Sequence, residues 1–289
     1  MQERAAWVDG VRWEARGPGL SPFEPGYLYG QGAFTTLRTF AGRPFALQAH
    51  LLRLCRGFLR LQGQPPPLAL LRVETEQALR QWQAAGGGEA RIRWTLAPAF
   101  ETRAEGQATR RVLLLSAIAA GMPPLDLCSA ATVVVHPAGH RSMWANKTLN
   151  YLPNLLALEE ARASGKDEAL MISPNGELLE ASTANLFLRR GTRLYTPHAN
   201  LGILPGLTRR LLLHLCARLG IAVEESVLFP RDLYRADEAF LTSSVRGIRR
   251  LREIDGVVLP GGDAAPLSRR LHRAYAELLC PDPAGALAG

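Results

Sequence analysis

The feature that most constrains the fold is a break near residue 121, where Gly121 and the pair Pro123-Pro124 interrupt regular structure. Glycine and consecutive prolines stop helices and strands and stiffen a linker. Strand and helix patterns occur on both sides of the break, so the chain is predicted to be an α+β protein in two parts. A length of 289 residues fits one large or two modest domains. The predicted parts are a small N-terminal domain at 1–119, a linker at 120–125 and a larger domain at 126–289.

The first part is predicted to contain strands and two helices. Asp9 and Gly10 lie between two short apolar segments, a pattern typical of a β-hairpin. The segment 21–32 is rich in Gly, Pro and Tyr and is predicted to be a loop. Alternating apolar residues predict further strands at 33–40, 90–96 and 112–118. Apolar residues at helical spacing predict helices at 48–61 and 68–85.

The second part alternates more often between short strands and helices. Strands are predicted at 131–135, 168–172, 178–179, 185–188, 221–227 and 236–242. Helices are predicted at 149–163, 206–219 and 267–279. The segment 281–289 is rich in Ala, Gly and Pro and is expected to fray.

The composition excludes several classes of protein. With 47% hydrophobic and 21% charged residues, the chain can bury a large core. The net charge of +8 comes from arginines spread along the whole chain rather than from a basic run with interleaved aromatics, so no nucleic-acid partner is predicted. The cysteines lie far apart and form no metal-binding spacing. No metal site is therefore predicted, and the thiols are expected to be buried in a reducing compartment.

A membrane location is not predicted either. No apolar run reaches the roughly 18 residues of a membrane-spanning helix. The segment 1–10 carries charged residues and lacks the apolar centre of a signal peptide. A cytoplasmic protein that acts on a small-molecule substrate is expected.

Lys147 is the first candidate for chemistry. It is one of two lysines in a chain whose other cations are arginines. Arginine can replace lysine where only charge matters, but not where an amine must lose its proton and attack a carbonyl. Lys166 lies in a polar turn at 164–167. Lys147 follows a predicted strand and precedes a predicted helix, where it could face a substrate or lie on the surface by chance.

Three further segments have a chemical interpretation beside Lys147. Glu180 is predicted to enter a strand just after a turn. Gly206 precedes a predicted helix, so backbone N–H groups and the Thr208 hydroxyl could bind a phosphate there. Ser243 and Ser244 follow an apolar strand. A lysine, an acid and a phosphate site are what pyridoxal 5′-phosphate (PLP) requires, although a solvated acid and an ordinary helix cap would explain two of them separately.

These segments fall in the order of a known family. The chain resembles the fold-type IV PLP enzymes, which include branched-chain and D-amino acid aminotransferases and aminodeoxychorismate lyase. The resemblance extends over most of the chain, from about Trp7 to about Ile254. The motifs that carry it lie at 29–34, 50–54, 147–151, 180–187, 204–209 and 240–247.

The resemblance implies a two-domain α+β fold with PLP in the cleft between a small N-terminal and a larger C-terminal domain. It also implies a homodimer. Lys147 would form the Schiff base with the cofactor, and Glu180 would pair with the pyridine nitrogen. Tyr29 and Arg93 are assigned to the substrate. The cofactor phosphate is assigned to Arg53, Leu207, Thr208 and Ser244.

The assignment of Arg53 has a simpler alternative, and the chain departs from the family pattern at two places. Without the family, Arg53 would be interpreted as a helix-surface arginine whose stem lies on the core. Gln31 replaces an acid that is usual in the family, and 97–99 is Ala-Pro-Ala where a Thr/Ser-Arg-Gly is usual. The second departure leaves the residues for the substrate carboxylates open.

The residues after Phe34 indicate which member of the family this is. Both aminotransferase groups usually carry a Glu there, whereas this chain has Thr35-Thr36. That pair resembles a form of aminodeoxychorismate lyase in which the second Thr assists the reaction. Thr36 is therefore a catalytic candidate, although threonine is also an ordinary strand residue.

The implied reaction removes pyruvate from 4-amino-4-deoxychorismate to leave 4-aminobenzoate, a step of folate synthesis. The substrate amine would displace Lys147, and β-type elimination would follow. This chemistry requires a neutral Lys147 amine and hence a lowered pKa. The alternative is an aminotransferase of D- or branched-chain amino acids. A binding protein with a decayed site would lack Lys147 or Glu180, and both are present.

Overall fold

A computed structural model of the chain describes residues 4–14, 20–100, 108–136, 145–261 and 266–279. The backbone contacts divide the chain into two compact units. The first comprises Met1–Gly121 and Asn146–Asn150, and the second comprises Met122–Ala145 and Tyr151–Gly289. The chain first changes unit inside the predicted linker. Its brief return to the first unit at Asn146–Asn150 is not anticipated by the sequence analysis.

The first unit is built on a six-stranded antiparallel sheet. Its strands are β1 (Arg4–Val8), β2 (Val11–Arg12), β3 (Ala33–Phe40), β4 (Arg43–Pro44), β5 (Ala90–Pro98) and β6 (Thr109–Ala117). They lie in the spatial order β2-β1-β6-β5-β3-β4. The predicted hairpin at Asp9-Gly10 and the three predicted strands of this part are confirmed, with ends that differ by a few residues.

Two long helices cover one face of this sheet. The helices of the first unit are α1 (Pro25–Leu28), α2 (Leu47–Arg60) and α3 (Leu68–Ala84). Leu37, Ile92 and Trp94 point to the covered face and are buried with Phe58 of α2 and Trp82 of α3. Successive side chains of a strand alternate between faces, so Phe34, Thr36 and Arg93 belong to the opposite face.

One prediction for the first unit is wrong. The segment 21–32 is not entirely a loop, because it contains the single helical turn of α1. Pro25 occupies the first helical position, where its fixed φ is suitable and its missing N–H costs no hydrogen bond.

The second unit contains a nine-stranded mixed sheet. Its strands are β7 (Leu127–Val134), β8 (Glu168–Ile172), β9 (Leu178–Ala181), β10 (Asn185–Arg190), β11 (Arg193–Pro197), β12 (Val223–Ser226), β13 (Glu238–Ser243), β14 (Gly247–Ile254) and β15 (Val257–Val258). The main order is β12-β11-β10-β13-β14-β7-β8-β9, and β15 pairs with β14. Leu170, Leu186, Leu241 and Ile254 lie in its core.

The helices of the second unit begin where the sequence permits. They are α4 (Leu152–Ala163), α5 (Leu207–Arg218), α6 (Pro230–Leu233) and α7 (Pro266–Leu279), with a 3-10 turn at Ala199–Leu201. The prediction that α4 begins at Leu149 is wrong. A helix starting there would place Pro153 where its missing N–H breaks the bond to the Leu149 carbonyl, so the helix starts three residues later.

The sequence analysis also missed β11, β14 and β15. In β14 the apolar residues Ile248, Leu251 and Ile254 are spaced by three, which is closer to a helical period than to a strand's period of two. β11 contains an arginine and ends on a proline, which weakened its strand pattern.

Among the described ranges, no helix is long and apolar enough to cross a membrane. The predicted fraying of 281–289 lies outside the described residues.

Candidate active site

Lys147 is held by its backbone against the first residues of β3. The Phe34 N–H donates to the Lys147 carbonyl at 2.8 Å, and the Leu149 N–H donates to the Gly32 carbonyl at 2.9 Å. An isolated β-bridge lies between these two hydrogen bonds. β4 pairs with the end of β3, and the lysine segment pairs with the start of the same strand edge. This pairing fixes the backbone from which the Lys147 side chain extends.

Two glycines of the motif at 29–34 permit this close approach. A Cβ atom on Gly32 would lie 2.6 Å from the Leu96 carbonyl oxygen and 2.7 Å from Leu149 Cδ1. Gly30 has a φ of 64°, and its carbonyl accepts a hydrogen bond from Asn150 Nδ2 at 3.1 Å. A side chain would clash at the first position and strain the backbone at the second. The motif thus shapes the segment that receives Lys147.

Three of the predicted site residues meet on the face of the first sheet opposite to α2. Thr36 of β3 is the cross-strand partner of Arg93 of β5. The Arg93 guanidinium carbon lies 3.8 Å from the centroid of the Phe34 ring, and Lys147 Nζ lies 4.6 Å from it. Cations are attracted to the face of an aromatic ring at such distances. Lys147, Thr36 and Arg93 are therefore gathered around Phe34.

Arg53 points toward the other side of β3. Its Nη2 donates to Thr35 Oγ1 at 3.1 Å, and the same hydroxyl lies 2.8 Å from Nδ1 of His50. Burial and, to a smaller extent, the positive charges of Arg53 and Lys147 together lower the pKa of His50 to about 3. Sequence reasoning did not assign a role to His50 or Thr35. The one available signal was that His50 and Arg53 are three residues apart on a helix and so share a face.

Tyr29 is not enclosed by the first unit. It ends α1, and its side chain is 72% exposed. Its contact with substrate stays a prediction.

Glu180 is fixed by two N–H donors of the second unit. Glu180 Oε1 accepts the Leu204 N–H at 2.9 Å, and Oε2 accepts from Asn185 Nδ2 at 2.8 Å. Asn185 Nδ2 also donates to the Leu204 carbonyl at 2.9 Å. Glu180 lies near the end of β9 and not at the entry to a strand, which corrects the prediction. Sequence reasoning missed the role of the buried Asn185.

The turn after Glu180 is anchored through Ser182. Its carbonyl accepts the Tyr151 hydroxyl at 2.8 Å and Asn154 Nδ2 at 2.9 Å. Its own hydroxyl donates to the buried Glu168 carboxylate, which also accepts the Thr183 hydroxyl at 3.0 Å. These bonds satisfy the polar groups of a turn that would otherwise be costly to bury.

The start of α5 also lies against Asn185. Gly206 is the N-cap residue and supplies no side-chain cap, and a Cβ atom there would overlap Asn185 Oδ1. Leu207 and the buried Thr208 begin the helix, so backbone N–H groups at its N-terminus have no side-chain acceptor from the cap. Arg209 anchors this turn by donating to the Pro197 carbonyl at 2.9 Å and to Glu225 at 2.6 Å.

Ser244 lies in the tight turn between β13 and β14 and is half-buried. Across the described ranges, no three His, Cys, Asp or Glu side chains are grouped so that they could hold a metal ion.

The chain is similar to several known proteins. Aminodeoxychorismate lyase of Bacillus subtilis is 28% identical over 254 residues, which cover 87% of each chain. Branched-chain aminotransferase from the thermophilic archaeon Thermoproteus uzoniensis, solved with norvaline, superposes with a TM-score of 0.82 at 28% identity and covers 95% of this chain and 94% of its own. A hypothetical aminotransferase of Mycobacterium tuberculosis in its PLP-bound form gives 0.81 at 25% identity, with 95% and 99% covered.

The sequence also matches a family model directly. Residues 32–254 match the model described as amino-transferase class IV. That range contains Lys147, Glu180 and the residues that fix them. Because the match spans well over half of the chain, the protein is a member of the aminotransferase class IV family of enzymes.

Proposed function

We propose that this enzyme is a PLP-dependent lyase that converts 4-amino-4-deoxychorismate to 4-aminobenzoate and pyruvate. The observation that carries the proposal is Thr35-Thr36, which follows Phe34 where the aminotransferases it resembles have Glu. Thr36 is paired with Arg93, and Arg93 and Lys147 both contact the Phe34 ring. A hydroxyl, a guanidinium and an amine on one face suit a substrate that has a leaving group and carboxylates.

The residues present fit PLP. The Glu180 carboxylate is oriented by two N–H donors, and a carboxylate held in this way can pair with a protonated pyridine nitrogen. Gly206 supplies no side-chain cap, so the N–H groups at the start of α5 suit an anion. When bound, PLP supplies a ring that accepts electrons. We assign Lys147 to covalent attachment, Glu180 to the pyridine nitrogen, and Arg53, Leu207, Thr208 and Ser244 to the phosphate.

Lys147 and Thr36 would carry the two proton transfers. The Lys147 amine takes the proton from the ring carbon that bears the substrate nitrogen. The bond between the ring and the enolpyruvyl oxygen breaks, and the Thr36 hydroxyl relays the proton taken by Lys147 to the leaving group, which becomes pyruvate. The remaining ring is aromatic, which makes the elimination favourable.

The substrate carries two carboxylates, and β5 offers two arginines for them. Arg91 and Arg93 lie on the same strand face, about 7 Å apart along the strand. Arg91 is exposed, whereas Arg93 is held over Phe34. Since the family's usual Thr/Ser-Arg-Gly is absent at 97–99, we assign Arg93 to one substrate carboxylate.

The second candidate function is an aminotransferase of D- or branched-chain amino acids. It is favoured by the similarity to the Thermoproteus uzoniensis enzyme, whose TM-score is 0.82. Lys147 and Glu180 would serve that reaction equally well, because both reactions begin with the same cofactor chemistry. Only residues that contact the substrate, such as Thr36, would separate the two functions.

The deciding experiment compares the two reactions on PLP-loaded protein. One reaction contains 4-amino-4-deoxychorismate, with 4-aminobenzoate and pyruvate measured. The other contains D-alanine or leucine with 2-oxoglutarate, with the new keto acid measured. We expect 4-aminobenzoate from the wild type and from Thr36→Ser, and little from Thr36→Ala. Keto-acid exchange without 4-aminobenzoate would establish the aminotransferase instead.

We also propose that the enzyme is a homodimer, as the resemblance implies. On α4 the side chains of Leu152, Leu155 and Leu156 are 62%, 47% and 59% exposed and share one helix face. An exposed apolar face of this kind suits burial against a second copy. Sedimentation of the wild type should give a dimer, and Leu155→Glu should shift it toward monomer. A monomeric wild type would contradict this proposal.

A further inference from the structure

The adjacent residues Thr35 and Thr36 face opposite sides of β3 and so cannot act on the same group. Thr36 shares the face of Phe34 and Arg93. Thr35 is fully buried on the face covered by α2, where its hydroxyl contacts His50 and Arg53. The two threonines that distinguish this chain from the aminotransferases it resembles therefore have separate surroundings and need separate explanations.

The hydrogen-bond pattern around Thr35 assigns its single proton. Arg53 Nη2 can only donate, so Thr35 Oγ1 accepts this bond. In the described part of the chain His50 Nδ1 is the other hydrogen-bond neighbour of this buried hydroxyl, so the Thr35 O–H has an acceptor there when Nδ1 is unprotonated. His50 is 1% exposed, and its pKa is lowered to about 3 by burial and by the charges of Arg53 and Lys147. A neutral His50 with its proton on Nε2 satisfies both hydrogen bonds of the Thr35 hydroxyl.

We propose that His50 and Thr35 are positioning residues that orient the Arg53 guanidinium for the phosphate of the cofactor. This inference rests on the proposed PLP-dependent function. Thr35 gives the guanidinium an oriented acceptor that carries no charge, so the positive charge of Arg53 is not neutralised at this contact. A phosphate dianion gains most from a guanidinium that is both oriented and fully charged. Thr35 thus acts on cofactor binding, and Thr36 acts on the substrate.

The test measures PLP binding to the apoprotein instead of catalysis. Thr35→Val keeps the shape of the side chain but removes the hydroxyl, and it should raise the Kd for PLP about tenfold, as expected when a charged group loses one hydrogen bond. Thr35→Ser keeps the hydroxyl and should bind within about twofold of the wild type. The ³¹P resonance of bound PLP should move in Thr35→Val and not in Thr35→Ser.

His50 is tested by a second matched pair. His50→Asn can place an amide oxygen close to the position of Nδ1 and should largely retain affinity. His50→Leu removes the acceptor and should weaken binding about as much as Thr35→Val. Thermal unfolding of each apoprotein identifies any variant that fails to fold, and the Thr35 pair then carries the test alone.

A double-mutant cycle with Arg53→Ala separates positioning from general stability. If Thr35 acts through Arg53, Thr35→Val should have no further effect on the Kd once Arg53 is absent. An equal loss of affinity in both backgrounds would overturn the inference, as would unchanged affinity in Thr35→Val. A wild-type protein that does not bind PLP would overturn the proposed function as well, so the two failures are distinguishable.

Discussion

The two units hold their candidate residues in different ways. In the first unit, the candidate residues are positioned by side-chain contacts on an antiparallel sheet. Lys147, Arg93 and Thr36 lie around the Phe34 ring. In the second unit, backbone N–H groups make more of the contacts. Glu180 is oriented by the Leu204 N–H, and the start of α5 presents its own N–H groups.

Because of this difference, substitutions in the two units should affect activity and stability differently. A side chain on a sheet face can be replaced while the strand pairing persists, so substitutions in the first unit should change activity more than stability. A tight turn whose backbone makes the contacts has no such freedom. Substitutions there should change activity and stability together.

The largest effect is expected at Lys147. Lys147→Arg keeps the charge near the Phe34 ring but removes the nucleophilic amine, so kcat/KM should fall by about 10⁴-fold or more. The unfolding midpoint in urea should stay within the range of a surface substitution. Lys166→Arg is the matched control because Lys166 is the other lysine of the chain and pairs with Glu253. Retained activity in Lys147→Arg would show that this lysine is not the reactive amine.

A smaller loss of activity is expected at Asn185. Asn185→Ala removes one of the two N–H donors that orient Glu180 and should lower kcat/KM by about tenfold to a hundredfold. Because Asn185 is buried and also donates to the Leu204 carbonyl, the unfolding free energy should fall as well. Asn175→Ala, in an exposed turn, serves as the control. Loss of activity without loss of stability would mean that substitutions in the second unit do not lower activity and stability together.

Gly206 tests the backbone side of the comparison directly. Gly206→Ala would push a Cβ atom into Asn185 Oδ1, so the free energy of unfolding should fall by about 1–3 kcal/mol. Gly88→Ala is a suitable control, since no atom lies within 4 Å of the added Cβ. Urea unfolding of both variants measures the difference. Equal stability of the two variants would show that the turn can shift to accept a side chain.

His50 gives an effect on stability that depends on pH. Its pKa falls from 6.5 to about 3 on folding, through burial and the charges of Arg53 and Lys147. Below pH 6.5 the unfolded chain binds a proton that the folded chain does not. The unfolding free energy should therefore fall as the pH falls, with a contribution of about 2 kcal/mol between pH 7 and pH 5.

The His50→Asn variant isolates this contribution. It should lose that part of the pH dependence, and a substitution of the exposed His214 by Asn serves as the control. Urea unfolding at pH 7 and pH 5 provides the comparison. An unaltered slope in His50→Asn would mean that this histidine is not the group that titrates.

The sequence predicted those parts of the fold that depend on local patterns. β3 and α2 follow from apolar spacing along a few residues, and both are confirmed. The predicted start of α4 was wrong because Pro153 prevents an earlier start. β14 was missed because its apolar residues are spaced by three. The membership of Asn146–Asn150 in the first unit depends on pairing with distant β3, which no local pattern contains.

The candidate site was predictable to a similar extent. The rarity of lysine drew attention to Lys147, and the ordered motifs drew attention to Glu180. His50, Thr35 and Asn185 were missed because their importance lies in hydrogen bonds between side chains, and the distances that define these bonds appear only after folding.

The return of the chain at Asn146–Asn150 limits how the protein can be dissected. A fragment that ends at Gly121 would contain β3 but not the segment that pairs with its edge. The Phe34 N–H and the Gly32 carbonyl would lose their partners, and an open strand edge of this kind invites association with other chains. An autonomous version of the first unit would need residues 146–150 joined to it by a new connection.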